Sequence, residues 1–213
     1  HKEYRRQRQM CIRDSICSAS SVNFAVYFNS TAYRLGLLYY GAYYHIPVNA
    51  ICRDTSKWTH VVLAIDSTLA TAGDRIKWYF DGVRQTSFST ENQMSLNYTL
   101  HWNANATNQG IGNLESYTRF YDGQLAEFYN IDGQQLTPSS FGEYNSDNIW
   151  VPKAYSGTYG NNGFYFKFAA GAIGTDSSGN GNNWTPSGFN TTTANTTYDI
   201  LTDTPTDYLS GSM

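Results

Sequence analysis

The sequence has little charge and no long apolar run. Only 15% of its 213 residues are charged, and the formal net charge is −3. Binding to nucleic acid or to an anionic membrane surface requires basic patches, so we expect neither as a partner. No apolar run approaches the roughly 20 residues of a membrane-spanning helix, so we expect no membrane span.

Cysteine is scarce too, with three in the chain. Cys17 and Cys52 do not have the spacing of zinc ligands, and two thiols are too few for a structural zinc site without nearby histidines. The sequence leaves open whether these two form a disulfide or remain thiols. Cys11, the third, lies in the N-terminal segment discussed below.

Aromatic and small polar residues are abundant instead. Aromatic side chains make up 16% of the chain, with 18 tyrosines, and asparagine, serine, threonine and glycine are frequent. This composition, rich in turn formers, is typical of an all-β protein that works outside the cell or in a virion. The length suits one domain with a sizeable core, with room for part of a second.

The first 15 residues resemble a translated sequencing adapter. Read in one frame, the adapter bases ATG TGT ATA AGA GAC AG encode Met10 to Asp14 and begin the codon of Ser15. The primer bases CGT CGG CAG CGT CAG encode Arg5 to Gln9. The alternatives are a basic nucleic-acid-binding arm and a transit peptide, which the arginines also suit. We interpret residues 1–15 as an adapter artefact, and we expect the natural protein to extend further upstream.

The segment 58–88 organises the rest of the chain. Its apolar residues recur at every second position, first in 61–65 and again in 76–80. Period-two alternation is typical of strands with one buried face. Asp81-Gly82 follows and supplies the positive φ of a hairpin turn. The predicted inward side chains are Val61, Leu63, Ile65, Ile76, Trp78 and Phe80.

Similar alternation predicts further strands on both sides of this segment. Thr137 followed by Pro138 has the residue types of a helix N-cap and first turn. In 163–168 the phenylalanines occupy alternate positions, so Phe164, Phe166 and Phe168 are expected to point inward. The strands predicted from the residues alone cover 24–29, 37–45, 48–53, 95–102 and 163–168.

The motif W-x-H-V-V at 58–62 with W-Y-x-D-G at 78–82 resembles the central hairpin of laminin-G-like, concanavalin A-like jelly-roll domains. RFYDGQLAEFYN at 119–130 resembles a later strand of the same family, entered by a turn at Asp122-Gly123, and 111–114 resembles the start of another of its strands. The resemblance implies an all-β fold, a two-sheet antiparallel β-sandwich of the concanavalin A-like jelly-roll type. This fold hosts lectins, hydrolases and structural modules, so it does not fix the function.

Three C-terminal segments resemble a module of tail and other virion proteins of environmental, marine-type bacteriophages. They are GFYFKF at 163–168, TDSSGNGNNW at 175–184 and TDTPTDY at 202–208. We expect one sandwich domain over 16–190 and a polar, irregular tail over 191–213. Within the domain, 164–184 either supplies an edge strand or begins a second copy. We prefer the edge strand, because too little sequence follows to fold alone.

We expect no enzymatic activity. Laminarinase-like jelly rolls carry an E-x-D-x-x-E strand that places three acids on the groove face, and this pattern is missing. Glu127 stands alone on its predicted strand, and the family resemblance implies a structural role for it. His45, His60 and His101 have no serine or cysteine nucleophile in context. We interpret His60, in the W-x-H motif, as a core residue or a buried hydrogen-bonding residue.

The loop 175–183 is the candidate metal site. Asp176, Asn180 and Asn182 offer oxygen ligands, which calcium prefers. However, one carboxylate is few, and the spacing is not that of an EF-hand. The same residue types build turns in which Asn and Asp side chains bond their own backbone. The sequence favours the turn, with calcium binding as the alternative, and it indicates no other cofactor.

Glycan binding uses aromatic faces that stack on sugar rings, with polar groups that bond the hydroxyls. The densest aromatic cluster lies at 39–44, and alternation requires at least one of Tyr39 and Tyr40 to face outward. A tryptophan followed by asparagines is a second candidate. The same rings would suit contact with another virion subunit. The candidate glycan-binding residues are Tyr39, Tyr40, Tyr43, Tyr44, Trp102, Asn103 and Asn105.

Three functional hypotheses follow. The leading one is a non-enzymatic, lectin-like module of a phage virion, a tail or fibre component that binds host-surface glycans through weak, repeated sites. The second is a structural assembly or decoration module without a ligand, whose partners are other virion subunits or copies of itself. The third is a secreted bacterial lectin or glycanase accessory domain. The expected location is the virion, with secretion as the alternative.

Overall fold

A computed structural model describes residues 14–188 except 20–23, 30–33, 40–42, 50–56, 105–107, 115–118, 122 and 170. This part of the chain consists of antiparallel strands joined by turns and contains no α-helix. The all-β, antiparallel class predicted from the sequence is confirmed. Within these residues, no helix has the length and apolar character to cross a membrane.

The described residues contain fifteen strands and two one-turn 3-10 helices. The 3-10 helices cover Ala72–Asp74 and Pro138–Ser140. The strands are β1 (Asp14–Ala19), β2 (Phe24–Asn29), β3 (Arg34–Tyr39), β4 (Tyr43–Pro47), β5 (Val61–Ile65), β6 (Ile76–Phe80), β7 (Val83–Arg84), β8 (Phe88–Glu91), β9 (Gln109–Ile111), β10 (Asn113–Leu114), β11 (Arg119–Phe120), β12 (Phe128–Asn130), β13 (Gly142–Tyr144), β14 (Trp150–Pro152) and β15 (Phe164–Phe166).

Six strands form the main sheet, in the order β8-β4-β3-β2-β1-β9. The strand β2 shows how this sheet is packed. Phe24 and Val26 belong to the main core, whereas Ala25 and Tyr27 belong to a smaller cluster with Leu38. Because alternate residues of a strand point to opposite faces, the middle of the main sheet is buried on both faces.

The predicted central hairpin is confirmed. The strand β5 pairs with β6, which turns tightly into β7. Between β6 and β7, Asp81 and Gly82 have φ angles of 47° and 81°, the left-handed pair of a type I′ turn. All six predicted inward side chains belong to the main core: Ile76, Trp78 and Phe80 are buried, and Val61, Leu63 and Ile65 pack against them.

The main core contains side chains from the main sheet and from the three-stranded sheet β5-β6-β7. Trp78 of β6 and Leu37 of β3 are each 0% exposed and lie in one cluster. Burial of a large apolar side chain contributes about 1.5–3 kcal/mol, so this shared interior dominates stability. Cys17 lies in it as well, and burial raises the pKa of its thiol to about 12. Cys52 lies outside the described residues, so the question of its pairing with Cys17 stays as the sequence left it.

The prediction of a single strand over 37–45 is wrong. The chain ends β3 at Tyr39 and returns as β4 from Tyr43, with these two tyrosines directly opposite each other. The overlooked signal is Gly41, since glycine inside a strand pattern weakens it and often marks a break. Similarly, Val48 and Asn49 lie in a bend rather than in a strand over 48–53. The rest of that segment is outside the described residues.

Two polar segments also differ from the prediction. The segment 95–102 is not a strand but a series of turns, in which Asn97 has a φ of 56°. The segment 119–130, expected to be a strand entered by a turn at Asp122-Gly123, contains two short strands, β11 and β12. The strand β12 begins only after Glu127, which has a φ of 53°. Positive φ is incompatible with a continuous strand, so each residue interrupts the pattern that the sequence suggested.

The predicted helix start at Thr137-Pro138 is only a single 3-10 turn. Pro138 occupies its first position, as the sequence suggested, but the turn stops after three residues at Phe141, which is buried. One hydrogen-bonded turn without further helix-forming residues gains too little to propagate.

The strand β15 pairs with β12. Phe164 and Phe166 are each 1% exposed, and the Trp184 ring lies 5.0 Å and 5.7 Å from theirs. The alternating phenylalanines therefore predicted this strand correctly over 164–166. At the other end of the chain, β1 begins at Asp14, so the last two residues of the segment 1–15 pair with β2.

Candidate functional site

The predicted tyrosine cluster is divided between the core and the surface. Tyr39 is 2% exposed, whereas Tyr43 is 43% exposed. Their rings stack across the β3–β4 pair with centroids 5.7 Å apart and planes 25° apart. The ring of Tyr39 therefore belongs to the core and is not open to a ligand, while that of Tyr43 is a surface ring backed by a buried one. Tyr40 is outside the described residues.

Asn92 fixes this arrangement. Its carbonyl oxygen accepts a hydrogen bond from the Tyr39 hydroxyl at 2.8 Å. Its side-chain Oδ1 accepts from the Tyr44 backbone N–H at 2.8 Å, and its own N–H donates to the Tyr44 carbonyl at 2.9 Å. Burial raises the pKa of the Tyr39 hydroxyl to about 12, with Tyr43 and Tyr98 adding to the effect. This hydroxyl stays protonated and remains a donor at neutral pH.

The second predicted aromatic site is mostly internal. The ring of Trp102 stacks on Phe24 at 5.5 Å and packs on the main core. Its Nε1–H donates to Asn130 Oδ1 at 2.9 Å. Asn103 adopts a φ of 62° and donates its backbone N–H to Gln109 Oε1 at 2.9 Å. Trp102 therefore anchors a turn onto the core. Asn105 lies outside the described residues.

The carboxylate of Asp176 is fully occupied by protein donors. Its Oδ1 accepts from the N–H groups of Tyr165 and Ser178, and its Oδ2 accepts from the Ser178 hydroxyl and the Asn182 N–H, all at 2.8–2.9 Å. Burial alone would raise the pKa of this carboxyl, but these hydrogen bonds outweigh burial and lower it. A calcium ion would have to displace these donors.

The asparagines of the same loop hold the neighbouring backbone through their nitrogens. Asn180 Nδ2 donates to the carbonyls of Gly160 and Gly163 at 2.6 Å and 2.9 Å. Asn182 Nδ2 donates to the carbonyls of Asn161 and Gly163 at 3.1 Å and 2.9 Å. The predicted site residues Asp176, Asn180 and Asn182 are thus brought together, in a turn network of the kind that the sequence favoured.

Sequence reasoning missed a stack of tyrosines beside this loop. The rings of Tyr129 and Tyr165 stack at 4.1 Å and 7° across the β12–β15 pair. Tyr159 lies parallel to Tyr129 at 6.5 Å, and Tyr155 meets Tyr159 edge-on at 5.2 Å. All four are half-buried. The sequence signal was the alternation in the two strands. Tyr129 follows the inward Phe128, and Tyr165 lies between two inward phenylalanines, so both tyrosines belong to the opposite face.

A second feature that was missed is a ribbon docked on the Asp81-Gly82 turn. The strands β13 and β14 pair with each other, and Trp150 of β14 lies over the turn. Its Nε1–H donates to His60 Nδ1 at 3.0 Å, and the two rings stack at 5.7 Å. Tyr144 donates its hydroxyl to the Asp81 carbonyl at 3.3 Å. The prediction of a hydrogen-bonding role for His60 is confirmed.

Exposed apolar side chains surround this turn. The described residues include seven exposed large apolar side chains, and four of them lie on or next to the turn and the ribbon. Lys57 and Asp81 form an ion pair of 3.1 Å among them. Because four of seven fall in one place, we treat this as a patch and name it the turn patch. Its members are Trp58, Val83, Tyr144 and Ile149.

Within the described residues, no group of three or more His, Cys, Asp or Glu side chains is placed to hold a metal ion. Glu127 is half-buried in a left-handed conformation just before β12. The expectation that the chain has no enzymatic activity stays a prediction.

Comparisons with known protein families, with curated proteins and with solved structures find no match.

Proposed function

We propose that this chain is a non-enzymatic, glycan-binding module of a phage virion. The observation that carries the proposal is the Tyr43 ring, 43% exposed and stacked on the buried Tyr39. Aromatic faces are the surfaces on which sugar rings stack. A ring already held in place loses little conformational entropy on binding. The virion setting rests on the resemblance of 163–168, 175–184 and 202–208 to phage tail modules.

We further propose that the two larger sheets form a jelly-roll sandwich of the concanavalin A type. Support comes from the shared core, in which Trp78 and Ile76 of the three-stranded sheet join Leu37 and Val26 of the main sheet. The central hairpin, on which the family resemblance depends, supplies one side of that core.

The proposed mechanism is shallow stacking with avidity. One exposed ring and a few hydrogen bonds give weak affinity. A virion displays many copies of each tail or fibre protein, and simultaneous contacts raise the apparent affinity by factors of roughly 10²–10⁴. Binding by an array of copies therefore needs no deep pocket in each one.

The test is a glycan array probed with the purified chain displayed in many copies on a particle. We expect binding to a subset of bacterial surface glycans, and Tyr43→Ala should weaken it about tenfold through loss of the stacking ring. Tyr144→Ala removes a tyrosine of similar exposure, 50%, far along the chain, and is the matched control. Failure of the wild-type chain to bind any glycan would contradict the proposal, as would equal loss in both variants.

The turn patch supports a second candidate, a structural assembly module without a glycan ligand. Exposed aromatic and aliphatic side chains around an ion pair are the composition of a subunit contact. This candidate expects Trp58→Ser and Ile149→Ser to abolish incorporation into the particle while Tyr43→Ala has no effect on it. Quantifying the chain in assembled particles separates the two candidates.

A further inference from the structure

The asparagine pair of the loop 176–184 has two oxygens in fixed orientations. A carbonyl oxygen only accepts hydrogen bonds, so an amide that faces it must present its nitrogen. Asn180 and Asn182 each face two backbone carbonyls, and both face that of Gly163. The Oδ1 atom of each asparagine therefore points away from these carbonyls, and no described residue donates a hydrogen bond to either atom.

The surface around these oxygens is open. Asn180 is exposed and Asn182 is half-buried. Gly179 and Gly181 adopt φ angles of 92° and 75°, and a Cβ built on either would meet nothing within 4 Å. A ligand can therefore approach the outer side of the loop closely, where glycine presents only backbone.

A tyrosine directly precedes the backbone that holds the pair. Tyr159 immediately precedes Gly160, whose carbonyl holds Asn180. Its ring is half-buried in the tyrosine stack, parallel to Tyr129 and edge-on to Tyr155. Burial raises the pKa of Tyr159 to about 12, with contributions from neighbouring tyrosines and from Asp176. Its hydroxyl therefore stays a neutral hydrogen-bond donor at physiological pH.

We propose that Asn180, Asn182 and Tyr159 form a second saccharide-binding site, in which the two amide oxygens accept hydrogen bonds from sugar hydroxyls beside the tyrosine ring. This inference rests on the proposed function and names a site independent of Tyr43. Two fixed acceptors select a ligand with donors, and a sugar combines adjacent hydroxyl donors with an apolar C–H face. The negative charge of Asp176 disfavours an anionic ligand at the same place.

Calcium is the competing ligand for oxygen atoms, and the geometry disfavours it. A calcium ion takes six to eight oxygen ligands. The only carboxylate of the loop, Asp176, already accepts four hydrogen bonds from N–H and O–H groups. Two amide oxygens alone leave most of the coordination sphere to water, whereas two acceptors are enough for a pair of sugar hydroxyls.

The experiment uses the whole chain labelled with ¹⁵N and titrated with methyl α-mannoside, methyl β-galactoside and N-acetylglucosamine. We expect the side-chain amide signals of Asn180 and Asn182 to shift with at least one sugar, in the wild type and in Tyr43→Ala. Asn180→Ala should weaken that binding roughly three- to tenfold, the effect of losing one hydrogen bond. Asn161→Ala, a neighbouring exposed asparagine, is the matched control.

The outcomes separate this inference from the proposed function. If the array and the titration show no sugar bound by the wild type, both are overturned. If sugars bind and Tyr43→Ala abolishes all binding while the Asn180 and Asn182 signals stay still, only the second site is overturned. If calcium chloride shifts these signals and sugars do not, the loop is a cation site and the inference is wrong. The wild-type titration decides the matter even if Asn180→Ala fails to fold.

Discussion

The Nε1–H of Trp150 donates a hydrogen bond to Nδ1 of His60 at 3.0 Å, 90 residues away along the chain. An imidazole nitrogen accepts a hydrogen bond only when it carries no proton, so His60 must be neutral at Nδ1 for this bond to form. The backbone N–H of His60 donates a hydrogen bond to Asp81 Oδ1, and the backbone N–H of Asp81 donates one to the His60 carbonyl. One pair of side chains thus joins the β13–β14 ribbon to the turn of the central hairpin.

Removing the donor should destabilise the protein modestly. Trp150→Phe keeps an aromatic ring over the turn but leaves His60 Nδ1 without its partner, and we expect the free energy of unfolding to fall by about 1–2 kcal/mol. The measurement is urea denaturation followed by circular dichroism. Trp58→Phe changes a tryptophan that is 41% exposed and should stay within about 0.5 kcal/mol of wild type. Equal effects of the two substitutions would show that the hydrogen bond contributes nothing.

Substitution of Gly82, in the same turn, should lower stability because the Trp150 ring lies against it. A Cβ at Gly82 would overlap the six-membered ring of Trp150. Gly133 has a similar φ, 75° against 81°, but a Cβ there would meet nothing within 4 Å. We expect Gly133→Ala to cost about 1–2 kcal/mol for the backbone conformation alone. Gly82→Ala should cost about 1–3 kcal/mol more, because overlap in a packed contact is added.

The double variant isolates the cause. In a Trp150→Ala background the extra cost of Gly82→Ala should disappear, leaving the value of Gly133→Ala. A double-mutant cycle on urea denaturation measures this coupling. If the extra cost of Gly82→Ala persists without the tryptophan ring, the contact between the two residues is not its cause.

Stability should decrease below about pH 6.5 because of two histidines, the buried His45 and the half-buried His60. Burial lowers the pKa of His45 from 6.5 to about 4. Burial also lowers the pKa of His60, against an opposing effect of Asp81. In this window the unfolded chain binds more protons than the folded one, so the free energy of unfolding falls as the pH falls. Above about pH 7.5 both states are neutral at these residues and the slope is absent.

Substitution of His45 measures its share of this pH dependence. Its ring meets Phe88 at 4.2 Å, and its charged neighbour Glu91 is 3.8 Å away. Asp66, Asp74 and Asp176 have lowered pKa values and add to the acid slope only at lower pH. We expect His45→Gln to flatten the slope between about pH 6.5 and about pH 4.5 by up to one proton. An unchanged slope would show that His45 titrates normally.

The central hairpin could be predicted from the sequence because its determinants are local. Alternation set the faces of β5 and β6, and Asp81-Gly82 set the turn. The hairpin of β3 and β4 was missed because both strands are apolar on both faces. No alternation separates such strands, and Gly41 alone marks the break. The departures at Asn97 and Glu127 depend on positive φ angles, which asparagine adopts more often than most residues but glutamate rarely does.

The candidate site was harder to predict because sequence spacing does not show burial. Tyr39 and Tyr43 look alike in the sequence, yet strand pairing buries one beneath the other. Trp102 stands in a polar segment, and only the fold places Phe24 against it. The contact of His60 with Trp150 joins residues 90 positions apart, and no local pattern encodes such a pairing.

The C-terminal strand should unfold together with the rest of the chain. Phe164 is 1% exposed and packs on Phe128 at 6.1 Å and Trp184 at 5.0 Å. We expect Phe164→Ala to lower the free energy of unfolding by about 3–5 kcal/mol, as for other buried phenylalanines, in a single transition. Phe120→Ala, which removes a ring that is 68% exposed, is the control and should change it little. If Phe164→Ala instead splits the transition in two, with the first step involving only 164–184, this segment folds independently of the sheets. That outcome would favour its being the start of a second copy of the domain over its being an edge strand of this one.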